Sequence, residues 1–164
     1  MDRAVVADTG PLIALALVGL LPSLADIFAE VYAPDAVVKE ALLEPSKPGG
    51  REIQNALDRG WIIQRTVIIT RGYQELAELL DQGEAEALSL TAELSAIALI
   101  DERRGRKVAA ARGIPVTGTA AVLLRAKHSG LVPELRPLIR RLSVHGYRMS
   151  DRLVAEILHR AGEN

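Results

Sequence analysis

Six carboxylates, Asp8, Glu40, Glu84, Glu86, Asp101 and Glu102, stand in patterns that could serve a single chemistry. Asp8 closes the short β-branched run AVVA at residues 4–7, and Asp101 and Glu102 follow directly on the apolar run AIALI at 96–100. Acids at the carboxyl ends of strands lie where open parallel sheets form their ligand crevice. Carboxylates gathered there repel one another, so Asp8, Glu40, Glu84 and Asp101 together are costly unless cations sit among them. All-oxygen donors suit Mg²⁺ or Mn²⁺, held by a few carboxylates, water and substrate phosphate oxygens. The matching chemistry is phosphodiester hydrolysis, in which ions about 3.5–4 Å apart generate hydroxide and stabilise the attacking and leaving oxygens.

Each acid also has a plainer role. Asp8 can cap a helix, although Thr9 and Gly10 intervene before Pro11, which reads as the first helical residue. Glu40, with Lys39 and Glu44 nearby, fits a solvent-facing helix flank. Glu84 and Glu86 fall in a first turn, where negative charge suits the helix dipole. They lie about 200° apart around the helix, so one at most faces the crevice. Glu84 shares a face with Ala87, Leu88 and Thr91 and is preferred for that reason. Asp101 or Glu102 can cap the helix that follows, which leaves open which of the pair is a ligand.

Basic residues crowd the same neighbourhood. Arg103, Arg104, Arg106 and Lys107 follow the acidic pair, with Arg112, Arg125 and Lys127 further on, and they could track a phosphate backbone. Thr117 and Thr119 flank Gly118 at a helix start, where N–H groups and hydroxyls could hold a phosphate or a metal-bound water; helix capping would explain them equally. Aromatic residues make up 3% of the chain, so contacts to nucleic acid are expected mostly on the backbone rather than by base stacking. The formal net charge of −1 over 164 residues hides a strong polarity. Residues 1–100 hold 7 Lys and Arg against 15 Asp and Glu, a net −8, and residues 101–164 hold 13 against 6, a net +7. Such asymmetry speaks about partners, not fold.

The elements that must position these residues follow from period and punctuation. AVVA is a strand, and residues 12–18 after Gly10-Pro11 are a helix. Residues 24–28 read as a short helix and 31–33 as a strand, with Asp35 capping a helix over 36–44. PSKPGG at 45–50 is a loop. REIQNALDRG is helical with Gly60 as its stop, residues 61–69 are strand-like, and YQELAELLDQG is a helix closing at Gly83. EAEALSLTAEL from Glu84 is helical, AIALI is a buried strand, 103–112 a basic helix and 114–116 a strand. TGTAAVLLRAKHSG is a helix ending at Gly130, followed by helices over 133–142 and 151–161, the last capped by Ser150. Strands alternating with helices give an α/β fold with a mainly parallel sheet covered on both faces. Residues 1–164 read as one domain, with 133–164 a C-terminal helical extension. Such a chain buries roughly 70% of its unfolded surface and needs no staples. The absence of Cys excludes disulfides, zinc ribbons and thiol catalysis. No apolar run reaches the roughly 18 residues of a membrane span, and the first residues lack the layout of a signal peptide, so a cytoplasmic location is expected.

VVADTGPLIAL (5–15), YAPDAVVKEAL (32–42), GEAEALSL (83–90), ALIDERRGRKVAAARGIPVTGTAAVLLRAK (98–127) and GYRMSDRLVAEILHRAGE (146–163) together resemble the PIN-domain proteins. The likeness is greatest to a prokaryotic predicted nucleic-acid-binding subgroup, many of whose members look like VapC-type toxins. It implies an α/β/α sandwich whose acids bind Mg²⁺ or Mn²⁺ and hydrolyse RNA phosphodiesters. Carried over by position, the acids are Asp8, with the Thr9 hydroxyl beside it, then Glu40, then Glu84 or Glu86, then Asp101 with Glu102. Where many family toxins have Thr/Ser-x-Asp-x-Asp after this strand, Asp-Glu-Arg-Arg stands here. Family members are often paired with a small DNA-binding antitoxin and often form homodimers, and the toxin half of such a type II pair is the expectation.

Three other classes compete. One keeps the fold as a catalytically inactive nucleic-acid-binding or regulatory protein. Another takes Asp8-Thr9-Gly10 as the signature of an aspartic protease, which the helix after it and the parallel pattern oppose. A phosphoacceptor Asp8, as in haloacid-dehalogenase-like phosphatases, would be accompanied by a second Asp where Gly10 stands.

Overall fold

In the computed structural model, which describes residues 3–43 and 48–164, the chain alternates between short strands and helices. The strands are β1 (Val5–Ala7), β2 (Val31–Pro34), β3 (Ile63–Arg65), β4 (Ile97–Leu99) and β5 (Val116–Thr117). The helices among the described residues are α1 (Thr9–Leu17), α2 (Asp35–Leu42), α3 (Gly50–Asp58), α4 (Arg71–Leu79), α5 (Gln82–Leu94), α6 (Arg103–Ala111), α7 (Thr119–His128), α8 (Arg136–Val144) and α9 (Asp151–Arg160). The short helix read over 24–28 is a 3-10 turn at Leu21–Asp26. Glu44 at the end of the expected second helix, and Pro45, Ser46 and Lys47 of the expected loop, lie outside the described residues.

All strands pair in parallel in the order β3-β2-β1-β4-β5. Successive side chains on a strand point to opposite faces, and the core divides accordingly. Val5, Ala7, Val31, Ala33 and Leu99 face a large cluster that includes Leu12, Leu15, Ile53, Leu123, Leu142 and Ile157. Val6, Tyr32, Ala98 and Ile100 face the other way, against residues of α4, α5 and α6 such as Leu76, Leu88, Leu90 and Ala109. The result is the expected three-layer α/β/α arrangement, with α1, α2, α3 and α7 to α9 on one face and α4 to α6 on the other.

The strand order places a topological switch between β1 and β4, which leave the sheet side by side. Ala7 is in register with Leu99, and the Asp8 N–H donates to the Leu99 carbonyl at 3.0 Å. Hence the residue after β1 and those after β4 open the same crevice, where ligands bind in such sheets.

Several boundaries differ from the sequence reading. The first helix begins at Thr9, because the Asp8 carbonyl already accepts the Leu12 N–H at 3.3 Å, and Pro11 lies within the first turn rather than opening it. Proline is tolerated there since the N–H it lacks has no intrahelical partner. Gly83 stops nothing: α4 ends at Leu79, Asp81 caps α5 by accepting the Glu84 N–H at 2.8 Å, and Gly83 sits in the first turn. Gly60 and Gly130 are true stops, with φ of +76° and +77°. Ser150 caps α9 as expected, its hydroxyl accepting the Leu153 N–H at 3.1 Å.

Candidate functional site

Asp8 takes the N-cap position of α1, yet its carboxylate makes no capping hydrogen bond to the helix. It is buried at 9% exposure, a setting that raises a carboxylate's pKa. Burial lifts its pKa from 3.8 to about 6; the charges of Asp81, Glu40 and Glu102 push the same way, and the nearby Thr9 N–H offsets part of the rise.

Glu84, in the first turn of α5, is buried at 7% exposure, and its Oε2 has no hydrogen-bond partner. Its pKa is raised from 4.5 to about 8, first by burial, then by a hydrogen bond to and the charge of Asp81, then by the charges of Asp8 and Glu102. A buried orphan carboxylate oxygen is expensive, which makes Glu84 a candidate functional group. Glycines let this acid lie deep. A Cβ at Gly105 would stand 2.8 Å from Oε2 of Glu84, and a Cβ at Gly83 would stand 3.3 Å from Oε2 of Glu40 and 3.6 Å from Oδ1 of Asp81.

Glu40 is exposed on α2, and its Oε2 accepts the Thr9 hydroxyl at 3.2 Å. Thr9 thereby ties the first and second acids together. Asp8, Glu40, Glu84 and Glu102 form one acidic group, and Asp81 is its fifth member, which the sequence reading misses because Gly83 resembles a helix end. The Asp-x-x-Glu spacing from Asp81 to Glu84, a helix-start pattern, is the signal that could have found it.

The other two acids are engaged elsewhere. Glu86 points back to α2: its Oε1 accepts the Ala36 N–H at 3.0 Å and its Oε2 accepts the Gln82 amide at 3.1 Å. This satisfies an orphan donor in the first turn of α2 and sets a negative charge against its dipole. Asp101 caps α7 from outside, Oδ1 accepting the Thr119 N–H at 2.8 Å and Oδ2 the Thr119 hydroxyl at 2.7 Å, and Tyr147 donates its hydroxyl to Oδ2 as well. Burial and the Asp101 charge hold the Tyr147 phenol well above its ordinary value. The donors of Thr119 are therefore taken by Asp101 rather than offered to a phosphate.

The basic residues divide too. Arg103, Arg104 and Lys107 are exposed on α6, whereas Arg106 is half-buried with Nη1 donating to the Ile100 carbonyl at 3.0 Å. Thr117 ends β5, half-buried.

Among the described residues, no three acidic or imidazole side chains stand close enough to enclose an ion by themselves. The donor chemistry nevertheless fits a hard divalent cation. Mg²⁺ keeps several waters and takes only one or two carboxylates, and Asp8 with the orphaned Glu84 offers such a pair.

The family model described as PIN domain matches residues 4–163. No curated protein matches the chain. Among solved structures, a domain of a functionally unknown protein from Methanocaldococcus jannaschii DSM 2661 is similar at 17% identity, with a TM-score of 0.45 and coverage of 71% of this chain and 90% of that one.

Proposed function

The chain belongs to the PIN-domain family, whose members are generally nucleases, and from that premise we propose that it is a metal-dependent endoribonuclease hydrolysing RNA phosphodiester bonds. The observation that carries the reading is the buried, unpaired Oε2 of Glu84 beside the charges of Asp8, Asp81 and Glu102. Mg²⁺ or Mn²⁺, held through Asp8 and Glu84 with Glu40 and Glu102 reached through its water shell, would supply Lewis acidity to the scissile phosphate and acidify the attacking water. Burial and the neighbouring carboxylates favour the protonated form of Glu84, so a cation bound there would have to displace that proton. Thr9 fixes the Glu40 carboxylate by its hydroxyl. Arg103, Arg104 and Lys107, on the helix that starts directly after Glu102, meet the phosphates flanking the cut.

The partners that go with this reading are RNA, a small DNA-binding antitoxin and a second copy of the chain, in the cytoplasm. An open reading frame for a short protein next to this one, whose product co-purifies with it and silences cleavage, would support the toxin role. No helix among the described residues is long and apolar enough to cross a membrane.

RNA cleavage with Mg²⁺ or Mn²⁺ by the wild type and by Asp8→Asn tests the activity. Cleavage that survives EDTA or the substitution overturns it. A second reading, an inactive RNA-binding protein, is favoured by the commitment of Asp101 to Thr119 and Tyr147. Calorimetry separates the two: RNA binding without uptake of either ion supports the second.

A further inference from the structure

The tail segment GYRMSDR at 146–152 plays no part in the acidic site, yet its Tyr147, Arg148, Met149 and Ser150 build one wall of the cavity between α7 and α9. The cavity has a volume of about 410 Å³, within the roughly 300–1,000 Å³ of small-molecule sites. Its floor is apolar, from Leu124, Met149, Leu153 and Ile157. Arg106, Arg148 and Arg160 stand around it, and among the described residues none of the three is in an ion pair. Of its two acids, Asp101 is satisfied by Thr119 and Tyr147, which leaves Glu156.

The position matters as much as the lining. Asp101 lies on the cavity and its neighbour Glu102 belongs to the acidic group, so the two sites meet at the end of β4. Gly118 keeps this junction narrow: a Cβ there would stand 2.8 Å from Nη1 of Arg106 and 3.0 Å from Oδ1 of Asp101.

We propose that this cavity is a nucleotide subsite, taking the base of a ribonucleotide close to the scissile phosphate on its apolar floor and that nucleotide's phosphates on Arg148 and Arg160. Free guanidinium groups over an apolar, half-open surface match a ligand with a flat hydrophobic ring between two anions, and planar Arg both stacks on bases and pairs with phosphate. The inference rests on the RNA-cleaving reading for its substrate, but is tested by binding.

The probe is a fluorescein-labelled decaribonucleotide, with Ca²⁺ replacing Mg²⁺ and affinity read by anisotropy across a salt series. The variants are Arg148→Ala with Arg160→Ala, Ala121→Trp to fill the cavity without changing charge, and Arg140→Ala with Arg141→Ala on α8 as an equal loss of charge away from it. Circular dichroism confirms that each is folded. The cavity arginine pair should weaken binding about tenfold and lower the salt slope by about 0.7 for each phosphate no longer neutralised. Ala121→Trp should weaken binding with the slope unchanged, and the α8 pair should do little. Equal losses from both arginine pairs, or full affinity in Ala121→Trp, overturn the subsite. Wild type that binds no RNA but self-associates, in a way that Ala121→Trp abolishes, overturns it in favour of a second copy. Cleavage with Mg²⁺ in parallel keeps the two readings apart: pocket variants that bind normally while wild type cleaves remove only the subsite, and weakened variants of a wild type that never cleaves remove only the nuclease.

Discussion

Gly105 on α6 yields its side-chain space to Glu84 on α5: a methyl group there would meet Oε2 at 2.8 Å and Cγ2 of Ile100 at 3.2 Å. Gly105→Ala sets a gain of about 1 kcal/mol in helix propensity against overpacking of about 1–3 kcal/mol, so stability should fall by about 0–2 kcal/mol. Displacing Glu84 is the larger effect. Cleavage should drop about a hundredfold, measured as kcat on a defined RNA beside a thermal melt. Unchanged cleavage would mean that the depth of Glu84 is irrelevant.

The two glutamates near the start of α5 should separate cleanly. Glu84→Gln should abolish cleavage, a loss of about a thousandfold or more if Glu84 holds the cation. Glu86→Gln keeps an oxygen for the Ala36 N–H and should retain most activity, whereas Glu86→Ala should cost about 2 kcal/mol in denaturant unfolding.

Acidity sets a distinctive pH profile for the metal-free protein. Asp8 and Glu84 have folded pKa values of about 6 and about 8, above their ordinary 3.8 and 4.5, so the folded state binds more protons than the unfolded one between about pH 4 and 8. Stability should therefore fall as pH rises through that window. Glu84→Gln should flatten the fall, and Mg²⁺ or Mn²⁺ should raise the melting temperature more at pH 8 than at pH 5.5. A melting temperature that climbs from pH 5 to 8 without metal contradicts the assignment.

At the end of β4, Glu102→Gln should lower cleavage more than Asp101→Asn does. The latter removes an acceptor from Thr119 and Tyr147 and should appear instead as a stability loss of about 1–3 kcal/mol. The comparison is read from kcat and chemical denaturation on the same preparations.

Glu163 holds the C-terminal helices to α7: its carboxylate accepts Lys127 Nζ at 2.7 Å, the Leu135 N–H at 2.7 Å and the Arg136 N–H at 3.1 Å. Burial alone would raise its pKa, but these donors together bring it down to about 2 from 4.5. The stabilisation is present above about pH 4.5 and is lost as pH falls toward 2. Glu163→Gln should cost about 1–2 kcal/mol at neutral pH and little near pH 2, by urea unfolding at both.

The frame of the site was legible in the sequence because it rests on local pattern. AVVA before Asp8 and AIALI before Asp101 announced buried strands with acids at their ends, and the face shared by Glu84, Ala87, Leu88 and Thr91 was the ground for preferring Glu84, while Glu86 is as deeply buried. What escaped depends on contacts between distant segments. Asp101 meets Thr119 across 18 positions and Tyr147 across 46, and no spacing rule announces either. Nor does composition show that Glu86 is needed by Ala36, 50 residues away. Asp81 was hidden differently: a glycine two positions on resembles a stop, and only the preference of helices for Asp at their first cap argues otherwise.

That bond between Glu86 and Ala36 works as a key in a lock on the rotation of α5. A helix can turn about its own axis with little disturbance to a smooth apolar contact, and such a turn would swing Glu84 out of the crevice. By pinning one side of α5 to the start of α2, Glu86 fixes the angle at which Glu84 enters, and it holds α2, which carries Glu40, to the same setting. An acid turned away from the acidic group thus gauges the spacing of two of its members.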